Sequence, residues 1–129
     1  MPRKWVYICA ALFCWGGHAS AQSTDEACNS LTAAATDINR TLPKRLDQIT
    51  TLVQFKVNCA TRIVTYARTL DVGFTDLAPG WRERKQREHT ELHCNASGLA
   101  RTVAFTARDT LMDRNLDQVE LVTRPADCK

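Results

Sequence analysis

Two histidines four residues apart, in His89-Thr90-Glu91-Leu92-His93, have the spacing that lets one helix present both imidazoles to a single metal ion. A thermolysin-like site needs a glutamate directly after the first histidine, and that position holds Thr90. What survives is a metal-dependent hydrolase reading built on His89, His93 and a nearby carboxylate. Against it stands a plainer one, two surface histidines on a charged helix. Asp113-Arg114-Asn115-Leu116-Asp117 mimics the start of a calcium loop, but its sixth position is Gln118 where a glycine must turn, and its twelfth is Arg124 where a glutamate must chelate. A polar turn between two strands accounts for it. Ser97 lies close in sequence to His93 but has no nucleophile-elbow pattern. The remaining carboxylates, Asp71, Asp76, Asp109 and Glu120, read as strand-end and surface residues. No catalytic residue, metal ligand or cofactor is therefore assigned, and the chain is expected not to be an enzyme.

One local cluster could bind a partner. Trp81, Arg82, Arg84, Lys85 and Arg87 put four cations beside an aromatic ring, although Glu83, Glu88 and Glu91 dilute the charge. The pairs Glu83 with Arg87 and Arg84 with Glu88 stand at (i, i+4), so a solvated helix is expected. Asn39-Arg40-Thr41 and Asn95-Ala96-Ser97 match the glycosylation sequon.

The compartment follows from the N-terminus. Arg3 and Lys4 precede an apolar run from Trp5 to Trp15, and Ala19-Ser20-Ala21 supplies small residues for cleavage, the pattern of a secretory signal peptide spanning 1–21. The run is shorter than the ~20 residues of a spanning helix, so no membrane insertion is expected after cleavage. Phe13 before Cys14 argues against a lipid anchor. Arg3 and Lys4 are two of the 17 basic residues, and without them the chain nearly balances its 14 acidic ones. That balance removes the electrostatic case for a nucleic-acid partner. Residues 22–129 have the size of one domain.

Four of the six cysteines, Cys28, Cys59, Cys94 and Cys128, lie beyond the cleavage point. An even number in an exported chain implies two disulfides, and no C-x-x-C pair suggests zinc. A helix from Ala27 to Leu42 carries the chain ~22 Å, and a nine-residue strand returns ~30 Å. A slanted crossing then brings Cys59 back to Cys28, leaving Cys94 for Cys128. Loss of either bridge should cost roughly 2–5 kcal/mol.

The elements that position these residues follow from periodicity. Ser23 and Glu26 form a capping box. Ala27, Leu31, Ala34, Ala35, Ile38 and Leu42 then recur at helical spacing until Leu42-Pro43 stops the helix. From Thr50 the period drops to two, with Val53, Phe55 and Val57 followed after Asn58-Cys59-Ala60 by Val64 and Tyr66, a first hairpin. Asp71 to Gly80 reads as a connection. Val103, Phe105 and Ala107, then Val119, Leu121 and Thr123, alternate as a second hairpin inside the Cys94–Cys128 stretch. The expectation is an α+β domain, with an N-terminal helix on a four-stranded antiparallel sheet of two hairpins and a charged helix between the hairpins. Val53, Phe55, Val57, Val64, Tyr66, Val103, Phe105, Val119 and Leu121 should share the face under the N-terminal helix.

Ile38-Asn39, Leu42-Pro43, Asp47, Thr50-Thr51-Leu52, Cys94-Asn95, a strand ending at Asp109, Val122-Thr123 and Asp127-Cys128 together resemble a group of small, mostly uncharacterised exported proteins of Gram-negative bacteria. The resemblance covers most of residues 36–128 and implies a periplasmic α+β domain with its last two cysteines bridged. Cys28 and Cys59 depart from that pattern. Export, a stapled small fold and no catalytic constellation point to a periplasmic or secreted protein-binding module. It could be an inhibitor or immunity partner of an envelope-targeted toxin, or an accessory of an envelope assembly. Its partner would be another envelope or secreted protein, met on the charged helix from Trp81 to His93 or on exposed sheet edges. A third reading is a small-ligand binder with its pocket between helix and sheet.

Overall fold

The computed structural model describes residues 25–129. The expected signal peptide and the capping residue Ser23 lie outside the described residues. A helix over 25–40 (α1) ends just before Leu42-Pro43, as the missing proline N–H requires. Then follow β1 (Lys44–Arg45), β2 (Thr50–Asn58) and β3 (Ile63–Leu70), helices α2 (Trp81–Cys94) and α3 (Leu99–Thr102), and strands β4 (Thr106–Met112) and β5 (Gln118–Thr123).

Five strands form one sheet in the order β1-β2-β3-β4-β5, and this corrects the four-stranded antiparallel expectation. Neighbours pair antiparallel except β3 and β4, which run parallel from Ile63 beside Thr106 to Thr69 beside Met112. The reason is the connection between them. Parallel neighbours need a crossover, and α2 with α3 supplies it. The extra strand β1 is two residues long, too short for alternation to reveal.

The second hairpin also starts later than its alternation suggests. Leu99–Thr102 closes as a helical turn, with Thr102 Oγ1 donating to Gly98 O at 2.7 Å, and Ala104 then reverses the chain at φ 55°. Val103 and Phe105 are therefore outside the strand, though Phe105 is fully buried. Val53 is displaced as well. A register shift between Leu52 and Gln54 bulges it outward, leaving it exposed instead of in the core.

The covered face carries Phe55, Val64, Leu70, Ala107, Leu111 and Leu121. Ala35 of α1 packs with Phe55, Val64 and Phe105, flanked by Leu31, Ile38 and Leu99. The disulfide Cys28–Cys59 pins the start of α1 to the β2–β3 tip, and Cys94–Cys128 pins the end of α2 to the C-terminus, with Cα atoms 5.9 and 5.1 Å apart. Both pairs are those read from the sequence. Gly98 lets the chain leave α2 tightly, because a Cβ there would come within 2.3 Å of the His93 backbone.

Beyond the two residues that β1 covers on β2, and along the outer strand β5, a carboxamide engages one outward peptide on each side of the sheet. Asn39 of α1 accepts from Phe55 N–H at 3.2 Å and donates to Phe55 O at 2.6 Å on β2. Gln86 of α2 accepts from Val122 N–H at 3.2 Å and donates to Val122 O at 2.9 Å on β5. Each side chain takes the place of a neighbouring peptide, so an outward pair of backbone groups is satisfied without a further strand. Gln86→Leu should lower stability by about 1–3 kcal/mol, read as the shift in a urea midpoint, by stranding these groups. It should also raise self-association in sedimentation, which Gln86→Glu, keeping the acceptor half, raises less.

Candidate functional site

The edge bond sets the rotation of α2. With Gln86 on Val122, the inward side of the helix carries Gln86, His89, Thr90 and His93, all polar. His89 and His93 are only 6% and 5% exposed, which corrects the reading of them as surface histidines. Their ring centroids stand 4.5 Å apart, and His93 lies 6.2 Å from the ring of Tyr66, which in turn meets Phe55 edge-on at 4.8 Å.

Below the histidines the sheet carries a part-buried ion pair. Arg68 of β3 donates from Nε to Asp109 Oδ1 at 3.0 Å and from its second nitrogen to Oδ2, a bidentate arrangement. Burial pushes His89 down to about 4, helped by the charges of His93 and Arg68. His93 is also pushed down by burial, which the Asp109 charge only partly opposes. Burial, with Asp109, pushes the Tyr66 phenol up to about 12. At neutral pH the imidazoles are therefore uncharged and the phenol protonated.

A groove runs over this floor between α2 and the β1–β2 corner. Its larger lobe, about 270 Å³, has Leu46, Leu52 and Leu92 as apolar walls and Arg68, Asp109 and the two histidines beneath. A second lobe of about 190 Å³ shares Arg68, His89, Leu92 and Asp109 and continues to Lys85, Glu88 and Leu121. Leu46 and Leu92 are 48% and 60% exposed, so the walls present apolar surface to water. The floor cannot be filled by an apolar core without breaking the ion pair.

The residues singled out in the sequence are distributed unevenly around it. Lys85 ends the second lobe and pairs with Glu88 at 3.1 Å. Trp81 stacks on Phe74 at 4.9 Å, and Arg84 donates to the carbonyls of Pro79 and Ala78, so both hold the turn before α2. Arg82 and Arg87 are exposed. The five do not converge on one patch. Asp113 is buried in the β4–β5 turn; burial alone would raise its pKa, but N–H groups of Phe74, Asp117 and Asn115 donate to it and hold it below the ordinary carboxylate range. It serves the polar turn. Ser97 donates to Asn95 and is exposed. Among the described residues, no three His, Cys, Asp or Glu side chains converge as a metal site, and no helix is long and apolar enough to cross a membrane. Asp109 lies inside β4, buried and paired with Arg68, which corrects its reading as a strand-end surface carboxylate; its place between inward Ala107 and Leu111 is the signal of a buried, paired charge.

No protein-family model and no curated protein matches the chain. Two solved structures share its fold. The pilotin EpsS of the Vibrio vulnificus type 2 secretion system superposes with a TM-score of 0.58 at 10% identity, over 84% of this chain and 97% of that one. A candidate secreted protein of Pseudomonas aeruginosa superposes at 0.63 with 8% identity, over 81% and 94%. At such identities the likeness is one of fold alone. Both neighbours come from Gram-negative bacteria, as the sequence resemblance implied for the group.

The site makes stability depend on pH in a defined direction. Both histidines have folded-state values below the ordinary 6.5, so between about 4 and 6.5 the unfolded chain binds more protons than the folded one. Stability is full above pH 7 and falls as pH drops through that window, by on the order of 2 kcal/mol for His89 after allowing for partial screening. Urea midpoints at pH 7.5 and 4.5 should differ accordingly, and His89→Gln should reduce the difference. Asp109→Ala should cost about 3 kcal/mol at pH 7 by stranding the Arg68 charge.

Proposed function

We propose that this protein is a non-catalytic accessory of an envelope assembly, and that it holds a short amphipathic segment of another exported protein in the groove between α2 and the β1–β2 corner. The observation that carries the reading is the groove's form: two connected lobes, open to solvent, with exposed leucines facing each other over a polar floor. An elongated cleft suits a chain better than a compact ligand, and its larger lobe is at the low end for small-molecule sites. Apolar walls over polar groups match a segment with one apolar and one polar face. Lys85 and Glu88 at one end, with Arg82 and Arg87 on the outer side of α2, supply charges that orient an approaching partner.

Further support comes from the fold and the cross-links. EpsS, the pilotin of a type 2 secretion system, is built on the same fold. Two disulfides fit an oxidising compartment. At the sheet edges, the other contact surface considered, Asn39 and Gln86 occupy the outward groups of Phe55 and Val122, which a pairing strand would have to displace. The hydrolase reading lacks a third ligand beside His89 and His93 among the described residues.

A photo-crosslinking residue placed at Leu46 or Leu92 in the producing cells tests this. The same peptide of one exported protein should be recovered from both positions. Placement at Arg87, on the outer side of α2, or at Thr110, on the uncovered sheet face, should give none of it. Leu92→Glu should cut the yield at least about tenfold while leaving stability within about 0.5 kcal/mol, because the residue is exposed. Equal adducts from Thr110 would move the contact to the other face and end the groove reading.

A further inference from the structure

The uncovered face of the sheet has a cavity of its own, on the opposite side from the groove. Lys56, Thr65 and Arg108 alternate along their strands with the buried Phe55, Val64 and Ala107, so all three point away from the helices. The register sets them in one row: Lys56 of β2 stands opposite Thr65 of β3, and Thr65 stands beside Arg108 of β4. With strands about 4.8 Å apart, two cations flank one hydroxyl across about 10 Å of sheet. Val57, Asn58, Thr61 and Ile63 complete the lining of about 340 Å³.

The polar side chains of this lining are donors in want of an acceptor. Lys56 is exposed and belongs to none of the ion pairs among the described residues. Arg108 has one carboxylate near it, Glu120 Oε2, which stands 4.0 Å from Nε and beyond hydrogen-bond reach. That Nε is covered, but the side chain as a whole is 42% exposed, and its two terminal nitrogens are the ones left to meet a ligand. Asn58 Oδ1 accepts from Thr61 N–H at 3.1 Å, which leaves Nδ2 as the free end of that carboxamide. The disulfide at Cys59 pins the turn that carries both residues. No carboxylate lines the cavity.

We infer that this cavity is an oxyanion site, and that its ligand is a phosphoryl group held by Lys56 and Arg108 over the Thr65 hydroxyl. Charge selects it. An ammonium group is repelled by both cations, and a carboxylate balances only one of them. A phosphate monoester carries a charge of about −1.5 to −2 at neutral pH and offers three acceptor oxygens. That is enough for the guanidinium fork on one side and the ammonium on the other. Neither cation lines the groove, so the site stands apart from the docking reading.

Inorganic phosphate titrated into the disulfide-bonded protein at pH 7.5 and constant ionic strength tests this, with acetate as the reference anion and the Asn58 side-chain amide and Thr65 methyl resonances as readouts. Phosphate should shift both and bind at least about fivefold more tightly than acetate. Lys56→Gln and Arg108→Gln should each weaken phosphate about tenfold at an unchanged urea midpoint, and Arg108→Lys, which keeps the charge and loses the fork, should weaken it less. Glu120→Gln, which releases Arg108 from its distant carboxylate, should tighten binding by about two- to threefold. Phosphatidylcholine vesicles containing phosphatidic acid, whose headgroup is a phosphate monoester, separate the sources. Sedimentation of the protein with them, lost in Lys56→Gln, assigns a lipid headgroup; no sedimentation beside intact phosphate binding assigns a soluble phosphate ester. Shifts no larger with phosphate than with acetate, or phosphate binding undiminished in Lys56→Gln and Arg108→Gln, would overturn the inference.

Discussion

The pairing of the Gln86 carboxamide with the Val122 peptide is the contact on which the rest of the structure turns. Strand β5 is the last of the sheet, and its outward N–H and C=O would otherwise face water or a stray strand. Closing them with a side chain anchors α2 at a set rotation. Asn39 does the same for α1 on Phe55. Both helices are thus located by the hydrogen-bonding edges of the sheet as well as by packing. This explains how α2, with charge around most of its circumference, can dock through a stripe of Gln86, His89, Thr90 and His93.

Anchoring the helices at opposite edges leaves the middle of the covered face between them. There the inward positions of β3 and β4 hold Tyr66, Arg68 and Asp109 instead of aliphatic residues. The bidentate ion pair satisfies its own charges and gives a polar floor, while Leu46, Leu52 and Leu92 stand around it as walls. The groove is therefore a consequence of fold and composition together. The disulfides hold its two sides from outside: one fixes α1 to the β2–β3 tip, the other the end of α2 to the C-terminus.

Much of this was legible in the sequence, and the failures have particular causes. The first hairpin, the polar turn at Asp113, the stop at Pro43 and the cysteine pairs followed from period, turn chemistry and chain length. The parallel pairing of β3 with β4 did not, because alternation reports which face a residue takes and says nothing about a strand's neighbour. Val103 and Phe105 continue the alternation of β4 but belong to the turn after α3, where a threonine hydroxyl closing on Gly98 outweighs the β pattern. The histidines were misplaced because a helix without an apolar stripe gives no periodic cue to its inner face. Gln86 carried no signal at all, since a side chain that caps a strand edge looks like any polar helical residue.

The edge contact between Gln86 and Val122 sets the rotation of α2 and so buries His89 and His93 against the sheet. A pH titration of the histidine ring resonances decides whether it does. Both imidazoles should titrate below the ordinary 6.5, His89 at about 4, and in Gln86→Leu both should move back toward 6.5. Ordinary titration of His89 and His93 in the unaltered protein, or values untouched by Gln86→Leu, would contradict it.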